Sequence, residues 1–411
     1  MWRITQPEVN IGVVGHVDHG KTTLVQALTG TWTARHSMEL RRSMTIKLGY
    51  ADGNIAYCDN MEEPDAYTTS SRCRDNSESR LLRRVSYIDS PGHETLMATM
   101  LSGAALMDGA ILVIAANEPC PQPQTREHLT ALKLIGIKNV VAVQNKIDVV
   151  SRERALESYK EIISFLSEMG YEKAPVIPVS SLHGVNIDAV LMAIEKKIPT
   201  PERNTSADPL MFVARSFEVN KVGTPVRDLV GGVIGGSVIQ GVIRVGDEIE
   251  IKPGVRVERA DGKVEYVPLM TTVTSIRFGA TDFKEAKPGG LAALGTELDP
   301  FFTKADKLVG NVVGRAGRIP DPVSSLELDY ILLERVVGAK EMIGVEPIKV
   351  RETIMLSIGT NTVMALVTRV GKGHMEVTLS KPSVVIKDIG IAISRQIRGR
   401  WRLVGYAKPL I

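Results

Sequence analysis

Near its start the chain reads Gly15-His-Val-Asp-His-Gly-Lys-Thr22, which fits the pattern G-x-x-x-x-G-K-[ST]. This stretch follows an apolar run at residues 9–14 and opens a helical pattern at residues 21–29, the context that gives the motif its meaning. Its glycines let successive backbone N–H groups curl around phosphate oxygens, Lys21 can reach the β- and γ-phosphates, and the Thr22 hydroxyl can ligate Mg²⁺. We therefore predict a phosphate-binding loop, with nucleotide contacts from Asp18, His19, Gly20, Lys21, Thr22 and Thr23.

Short apolar runs continue to alternate with helical patterns as far as residue 198. The runs are rich in Val and Ile and apolar on both faces, as buried parallel strands are; they cover residues 9–14, 85–88, 110–115, 140–143 and 176–179. The helical patterns cover residues 21–29, 94–105, 124–134, 152–169 and 187–197. Such alternation predicts an α/β domain with a mostly parallel sheet covered by helices on both faces.

A polar, Pro-rich linker at residues 198–209 separates this region from two stretches of short strands with glycine turns, which predict closed β-barrels. Expected strands of the first barrel lie at residues 211–217, 229–234, 248–251 and 264–278; those of the second lie at 326–333, 353–358, 363–370, 375–379 and 402–406. We expect a nucleotide-binding domain at residues 1–203, with a cysteine-bearing insert at about 51–82. Barrel domains should follow at residues 204–322 and 323–411.

Composition excludes several classes of protein. The chain has 411 residues, a formal net charge of +3 and 3 cysteines, so it is not a disulfide-stapled secreted scaffold. No apolar stretch approaches the ~20 residues of a membrane span. We expect a cytoplasmic, multidomain protein without a membrane partner.

Two further motifs stand at the ends of predicted strands. Asp89-Ser-Pro-Gly-His93 follows the run at 85–88, where Asp89 can hold Mg²⁺ through water and the Gly92 N–H can sense a γ-phosphate. Asn145-Lys-Ile-Asp148 follows the run at 140–143. The Asp148 carboxylate can accept two guanine donors that adenine lacks, while Asn145 and Lys146 would support the loop and the ring.

Ser180-Ser-Leu182, after the run at 176–179, could offer backbone N–H groups to guanine O6. The phosphate-binding loop and the three later motifs, in this order and each at a strand end, indicate a GTPase. Their forms resemble those of translational GTPases, as does Pro123-Gln-Thr-Arg-Glu-His128. The resemblance implies that Thr45 is a switch threonine that ligates Mg²⁺ and that Asp18 can support an additional cation, the alternative being a solvent-facing carboxylate.

His93 is the best candidate to orient the attacking water, unless it only covers the phosphate. No arginine finger can be named, so we expect GTP hydrolysis to GDP and phosphate to be slow without a partner.

Within that group the chain most resembles the gamma subunit of archaeal translation initiation factor 2. Runs at residues 44–50, 97–112, 116–119 and 231–236 carry the resemblance. It implies a GTPase domain followed by two β-barrels, a heterotrimer with alpha and beta subunits, and delivery of initiator methionyl-tRNA to the small ribosomal subunit. The alternatives are an aminoacyl-tRNA elongation factor and a GTP-using nutrient-activating enzyme subunit.

The chain departs from this family in two places. The family's insert carries two Cys-x-x-Cys pairs that hold zinc, whereas here Cys58-Asp-Asn-Met61 and Cys73-Arg-Asp-Asn76 keep one cysteine each. Because structural zinc wants four Cys or His ligands, we expect no stable zinc and two unpaired, reduced cysteines in a mobile loop. Ser43 replaces a usual glycine, which puts a metal contact of its carbonyl in doubt.

The C-terminal segment is basic, with 12 Lys and Arg against 5 Asp and Glu over residues 340–411. Arg398, Arg400 and Arg402 are spaced two apart, so on one extended strand they would share a face, with Trp401 pointing into the barrel core. Three guanidinium groups on one face suit phosphates, which predicts an RNA-binding surface here, the alternative being an ordinary solvated face.

Overall fold

The computed structural model describes residues 2, 4–33, 47–93, 96–221, 223–336, 343–387 and 389–410. The predicted residues Ser43 and Thr45 lie outside these ranges. Packing divides the chain into two compact units: residues 1–201 with 333–345 and 396–404, and residues 202–332 with 346–395 and 405–411. The domain limits expected from the sequence stay predictions. Within the described ranges, no helix is long and apolar enough to cross a membrane.

The described residues of the N-terminal region form a seven-stranded sheet in the order β3-β2-β4-β1-β5-β6-β7. The strands are β1 (Val9–Gly15), β2 (Gly49–Tyr57), β3 (Tyr67–Thr68), β4 (Arg80–Asp89), β5 (Gly109–Ala115), β6 (Val140–Asn145) and β7 (Val176–Pro178). Along the part of the sheet ordered β4-β1-β5-β6-β7, each pair of neighbouring strands is parallel, while β2 pairs antiparallel with β3 and β4. The predicted α/β domain is confirmed, and the parallel strands place their carboxyl ends along one edge.

Helices cover the sheet: α1 (Lys21–Thr29), α2 (Met97–Ala104), α3 (Pro123–Ile135), α4 (Arg152–Glu168) and α5 (Ile187–Lys197). Local chemistry sets their ends, since α3 starts at a proline and stops at Gly136 with φ 93°, and the Ser151 side chain caps α4. The apolar faces of α1 and α5 pack against β1, β4, β5 and β6 in one buried cluster, which includes Ile11, Val13, Leu24, Leu28, Val85, Ile111 and Val143. Each such side chain contributes roughly 1.5–3 kcal/mol of burial free energy.

The insert between β2 and β4 is cross-linked. Cys58 and Cys73 form a disulfide with their Cα atoms 5.9 Å apart, so the prediction of two reduced cysteines is wrong. Each cysteine carbonyl accepts a hydrogen bond from the N–H three residues on, Met61 at 3.1 Å and Asn76 at 3.0 Å. Two tight turns thus face each other and bring buried sulfurs together, a spatial relation that sequence spacing does not reveal.

The first barrel closes through six strands of the described chain: β8 (Leu210–Phe217), β9 (Val233–Gln240), β11 (Glu248–Glu258), β12 (Val264–Phe278), β15 (Ala292–Thr296) and β16 (Val312–Arg315). The short strands β10 (Ile243–Arg244), β13 (Thr281–Phe283) and β14 (Glu285–Ala286) and the helical turn α6 (Pro300–Thr303) complete it. A strand expected at residues 229–234 begins only at Val233. Its glycines approach another chain segment instead, since a Cβ on Gly231 would lie 1.9 Å from the Thr296 carbonyl oxygen.

The second barrel closes in the order β17-β20-β19-β18-β21-β22. Its strands in the described chain are β17 (Val323–Leu332), β18 (Thr353–Ile358), β19 (Asn361–Gly371), β20 (His374–Ser383), β21 (Ile391–Ile397) and β22 (Arg400–Pro409). The predicted two-barrel architecture is confirmed, although β21 was not among the expected strands.

The three C-terminal arginines do not share an exposed strand face, so that prediction is wrong. Arg398 has φ 50° in the turn between β21 and β22. Arg402 is buried, and its Nη1 lies 3.3 Å from Glu127 Oε2 of α3, while Trp401 is only half-buried. The prediction assumed one extended strand, but the chain turns at Arg398 and Gly399. Arg402 forms an ion pair with the buried Glu127 carboxylate instead of facing solvent.

Candidate nucleotide-binding site

The phosphate-binding loop joins the end of β1 to the start of α1. Asp18 and Gly20 adopt left-handed conformations, with φ 61° and 89°. A Cβ on Gly20 would lie 2.2 Å from Asn145 Nδ2, so this position requires glycine for space as well as conformation. The loop places the N-terminus of α1, with His19, Gly20, Thr22 and Thr23, at the carboxyl edge of the sheet, while Asp18 is exposed.

Lys21 is a buried cation at the first position of α1. Its Nζ donates a hydrogen bond to the His16 carbonyl at 2.6 Å. Burial lowers the pKa of Lys21 to about 8, although the carboxylates of Asp89 and Asp18 oppose that shift. A desolvated ammonium at a helix N-terminus favours an anion next to it.

The Asp89–His93 segment lies directly against this loop. A Cβ on Gly92 would be 2.5 Å from Lys21 Nζ and 2.9 Å from the Val17 nitrogen, so only glycine allows the approach. His93 follows, half-buried, and its carbonyl accepts the Leu96 N–H at 2.9 Å.

Thr22 and Asp89 form a set of oxygen donors. The Thr22 hydroxyl donates to Asp89 Oδ2 at 2.7 Å, and the Thr33 hydroxyl donates to the same oxygen at 2.7 Å. Hydroxyl and carboxylate oxygens are what Mg²⁺ prefers, so this pair fits that ion. Among the described residues there is no cluster of three or more His, Cys, Asp or Glu side chains that could hold a metal by themselves. Sequence reasoning missed Thr33, because a lone threonine after a helix carries no motif.

Asn145 joins three loops at the edge of the sheet. Its Nδ2 donates to the His19 carbonyl at 2.9 Å, and its Oδ1 accepts the Ser181 N–H at 3.0 Å. Lys146 follows in a left-handed conformation with φ 62°, a strained choice for lysine that turns the chain toward Asp148.

Asp148 is the acceptor at this corner. A hydrogen bond from the Ser180 hydroxyl lowers the pKa of the Asp148 carboxyl, and the His183 ring, 3.8 Å away, lowers it less. Asp148 is therefore ionised at neutral pH. An ionised carboxylate only accepts hydrogen bonds, which suits the two neighbouring donors of a guanine edge. Ser180 and Ser181 are buried, whereas Leu182 is 74% exposed.

Two buried histidines, His19 and His128, support the phosphate-binding loop through hydrogen bonds. His128 Nδ1 accepts the Gly15 N–H at 3.0 Å, and burial lowers the pKa of His128 to about 3, so the ring is neutral. His19 Nδ1 donates to the Val113 carbonyl at 3.2 Å, and burial lowers the pKa of His19 to about 4. The residues 123–128 carried a family resemblance, but nothing in the pattern showed that His128 supports Gly15.

Comparison with known proteins identifies the family of this chain. The family model described as "Elongation factor Tu GTP binding domain" matches residues 6–200, and the one described as "Initiation factor eIF2 gamma, C terminal" matches residues 324–408. Translation initiation factor 2 subunit gamma of Aeropyrum pernix is 62% identical over 403 residues, which cover 98% of this chain and 97% of the relative. The corresponding values are 59% over 411 residues for Sulfurisphaera tokodaii (98% and 98%) and 55% over 402 for Pyrococcus furiosus (98% and 97%).

Solved structures show the same fold at lower identity. A bacterial selenocysteine-specific elongation factor, EF-Sec, superposes with a TM-score of 0.74 at 24% identity, over 98% of this chain and 58% of that one. The translation elongation factor SelB from Methanococcus maripaludis, in complex with the GTP analogue GppNHp, gives 0.71 at 20% identity, over 100% and 80%. With relatives more than half identical along nearly their whole length, the chain belongs to the translation initiation factor 2 subunit gamma family, a family of GTP- and Mg²⁺-binding translational GTPases.

Proposed function

We propose that this GTPase binds initiator methionyl-tRNA in its GTP state and delivers it to the small ribosomal subunit, in a heterotrimer with alpha and beta subunits in the cytoplasm. The observation that carries the proposal is the pair of hydrogen bonds by which Asn145 links the His19 carbonyl to the Ser181 N–H, in a chain over half identical to initiation factor subunits. Release would follow hydrolysis.

The residues divide the work at the nucleotide. Lys21 and the N–H groups of residues 18–23 would bind the phosphates, and Asp148 would select guanine, with Ser180, Ser181 and Leu182 at O6 and Lys146 along the ring. Thr22, with Asp89 behind it, would hold Mg²⁺, which neutralises charge on the β- and γ-phosphates when bound. Thr45, Ser43 and Asp18 stay proposed contributors to metal binding.

The segment at Gly92 and His93 is where the nucleotide state would be read. Because Gly92 lies so close to Lys21, a group that binds at the Lys21 ammonium also meets the Gly92 backbone. His93 would then orient the attacking water, with slow turnover until a partner completes the site. A γ-phosphate would thereby fix this segment and act on Thr45, the expected switch threonine.

Filter binding with GTP-loaded protein and two tRNAs tests the proposal. Initiator methionyl-tRNA should bind more tightly than elongator methionyl-tRNA. Equal or reversed preference would favour the elongation-factor alternative, and binding to neither tRNA would favour the nutrient-activating enzyme. The Lys21→Ala variant serves as control, because it should lose the GTP-dependent part of binding only.

A further inference from the structure

A cavity of about 590 Å³ lies in the second compact unit, where β11 and α6 of the first barrel meet the ends of β19 and β20 of the second. Its lining includes the aromatic rings of Tyr266, Phe301 and Phe302. Arg256, Lys307 and Lys381 bring cations to the same cavity. Its volume is in the range of small-molecule sites, and none of these residues belongs to the GTP site.

Lys381 is a desolvated cation that has no counter-charge among the residues the structure describes. Burial lowers the pKa of its ammonium, and no carboxylate in the described ranges opposes that shift. Over the described part of the chain, its side chain makes neither an ion pair nor a hydrogen bond. A half-buried charge of this kind costs free energy that an anionic ligand would offset.

Phe301 offers an exposed ring beside a second cation. The side chain is 63% exposed, although α6 holds its backbone in place. Lys307 Nζ lies 3.5 Å from the ring centroid and donates to the Phe301 carbonyl at 3.0 Å. A backbone bond and a ring thus hold this lysine in place, and its positive charge stays available to an anion.

The cavity's charge and shape select one kind of ligand. Among the described lining residues, three cations face one carboxylate, Glu258, whose Oε2 lies 3.6 Å from Arg256 Nη2. An anion that also carries a flat ring would use both the lysines and the aromatic walls. We propose that this cavity is a second nucleotide site, distinct from the GTP site, in which a base stacks on Phe301 and a phosphate lies near Lys381 and Lys307.

The nucleotide could be free or one residue of a single-stranded RNA, and the experiment distinguishes these sources. The full chain is first saturated with GDP and Mg²⁺, so that the GTP site cannot take up the probe. Adenosine monophosphate and a 5′-phosphorylated hexa-adenylate are then titrated by calorimetry. Binding of both probes assigns a free nucleotide, and binding of the hexamer alone assigns RNA; either result supports the site if the variants below weaken it.

Lys381→Met should weaken binding by about tenfold or more, as expected for loss of a charged hydrogen bond. With the hexamer, the log–log salt slope should also flatten by about 0.7, the share of one phosphate contact. Phe301→Leu should weaken binding by roughly fivefold or more through lost stacking. The exposed Lys408→Met on β22 is the matched control and should bind like the parent chain.

Since the Lys381 side chain makes no ion pair or hydrogen bond among the described residues, its replacement should not lower the melting temperature, and GDP affinity should stay unchanged in all variants. Absence of binding by either probe at millimolar concentration would overturn the proposal. Parental affinity in both Lys381→Met and Phe301→Leu would overturn it as well. Initiator tRNA binding is measured separately, so failure here leaves the proposed function untouched.

Discussion

Replacing Asn145 by alanine should break the link between the phosphate-binding loop and Ser181, one of the residues expected to contact the base. The change removes two buried hydrogen bonds, to the His19 carbonyl at 2.9 Å and from the Ser181 N–H at 3.0 Å. Each is worth about 0.5–1.5 kcal/mol net, and the backbone groups left unpaired push the sum toward about 3 kcal/mol. If most of this free energy is lost from nucleotide binding, the affinities for GTP and for GDP should each fall by roughly 10- to 150-fold.

Titration with a fluorescent GDP analogue measures the loss, and urea unfolding measures stability alongside it. Gln144→Ala is the matched control, because Gln144 is buried one residue earlier on β6 and its Nε2 donates to the Ala155 carbonyl at 2.7 Å, away from the phosphate-binding loop. The control should lose about 1–2 kcal/mol of stability with little change in nucleotide affinity. Parental affinity in Asn145→Ala, or an equal loss in the control, would refute the reasoning.

Three further outcomes are expected. Asp148→Asn should lower GTP affinity at least about tenfold and favour xanthine nucleotides, which competition binding would show; unchanged GTP preference in a folded variant contradicts the base assignment. Lys21→Met should abolish tight nucleotide binding yet stabilise the nucleotide-free protein near pH 7. The pKa of Lys21 is about 8 in the folded protein, below its value in the unfolded chain. Burying the protonated side chain therefore destabilises the parent protein fully below pH 8, and this destabilisation disappears as the pH rises. The free energies of unfolding of the parent and of Lys21→Met should converge toward pH 10. Elemental analysis should find no stoichiometric zinc, and thiol titration of unfolded, unreduced protein should detect Cys120 but not Cys58 or Cys73; one zinc per chain lost on Cys58→Ser would contradict this.

Most of the sheet could be predicted, because both faces of β1, β5 and β6 are buried and their sequences are therefore continuous apolar runs. The barrels were less predictable. The Val-rich residues 229–234 resemble a strand, yet tertiary approach of Gly231 to Thr296 prevents pairing until Val233. Local pattern cannot show such a contact, just as it cannot show that Cys58 and Cys73 meet.

The candidate site likewise contains residues that the sequence predicts and residues that it does not. Lys21, Asp89, Asn145 and Asp148 stand in motifs at strand ends, and parallel strands bring those ends together without further information. The supporting residues Thr33 and His128 reach the site from elsewhere and carry no local signature. Arg402 shows the opposite error, since its spacing suggested an RNA contact, while its position beside Glu127 makes it an internal ion pair.

The most direct test of the account compares initiator methionyl-tRNA affinity in two nucleotide states. The protein is loaded with a non-hydrolysable GTP analogue or with GDP, each with Mg²⁺, and tRNA binding is measured at one salt concentration. Nucleotide gating predicts binding at least about tenfold tighter with the GTP analogue, a coupling of about 1.4 kcal/mol or more. Equal affinity in the two states would contradict the claim that the nucleotide controls tRNA binding.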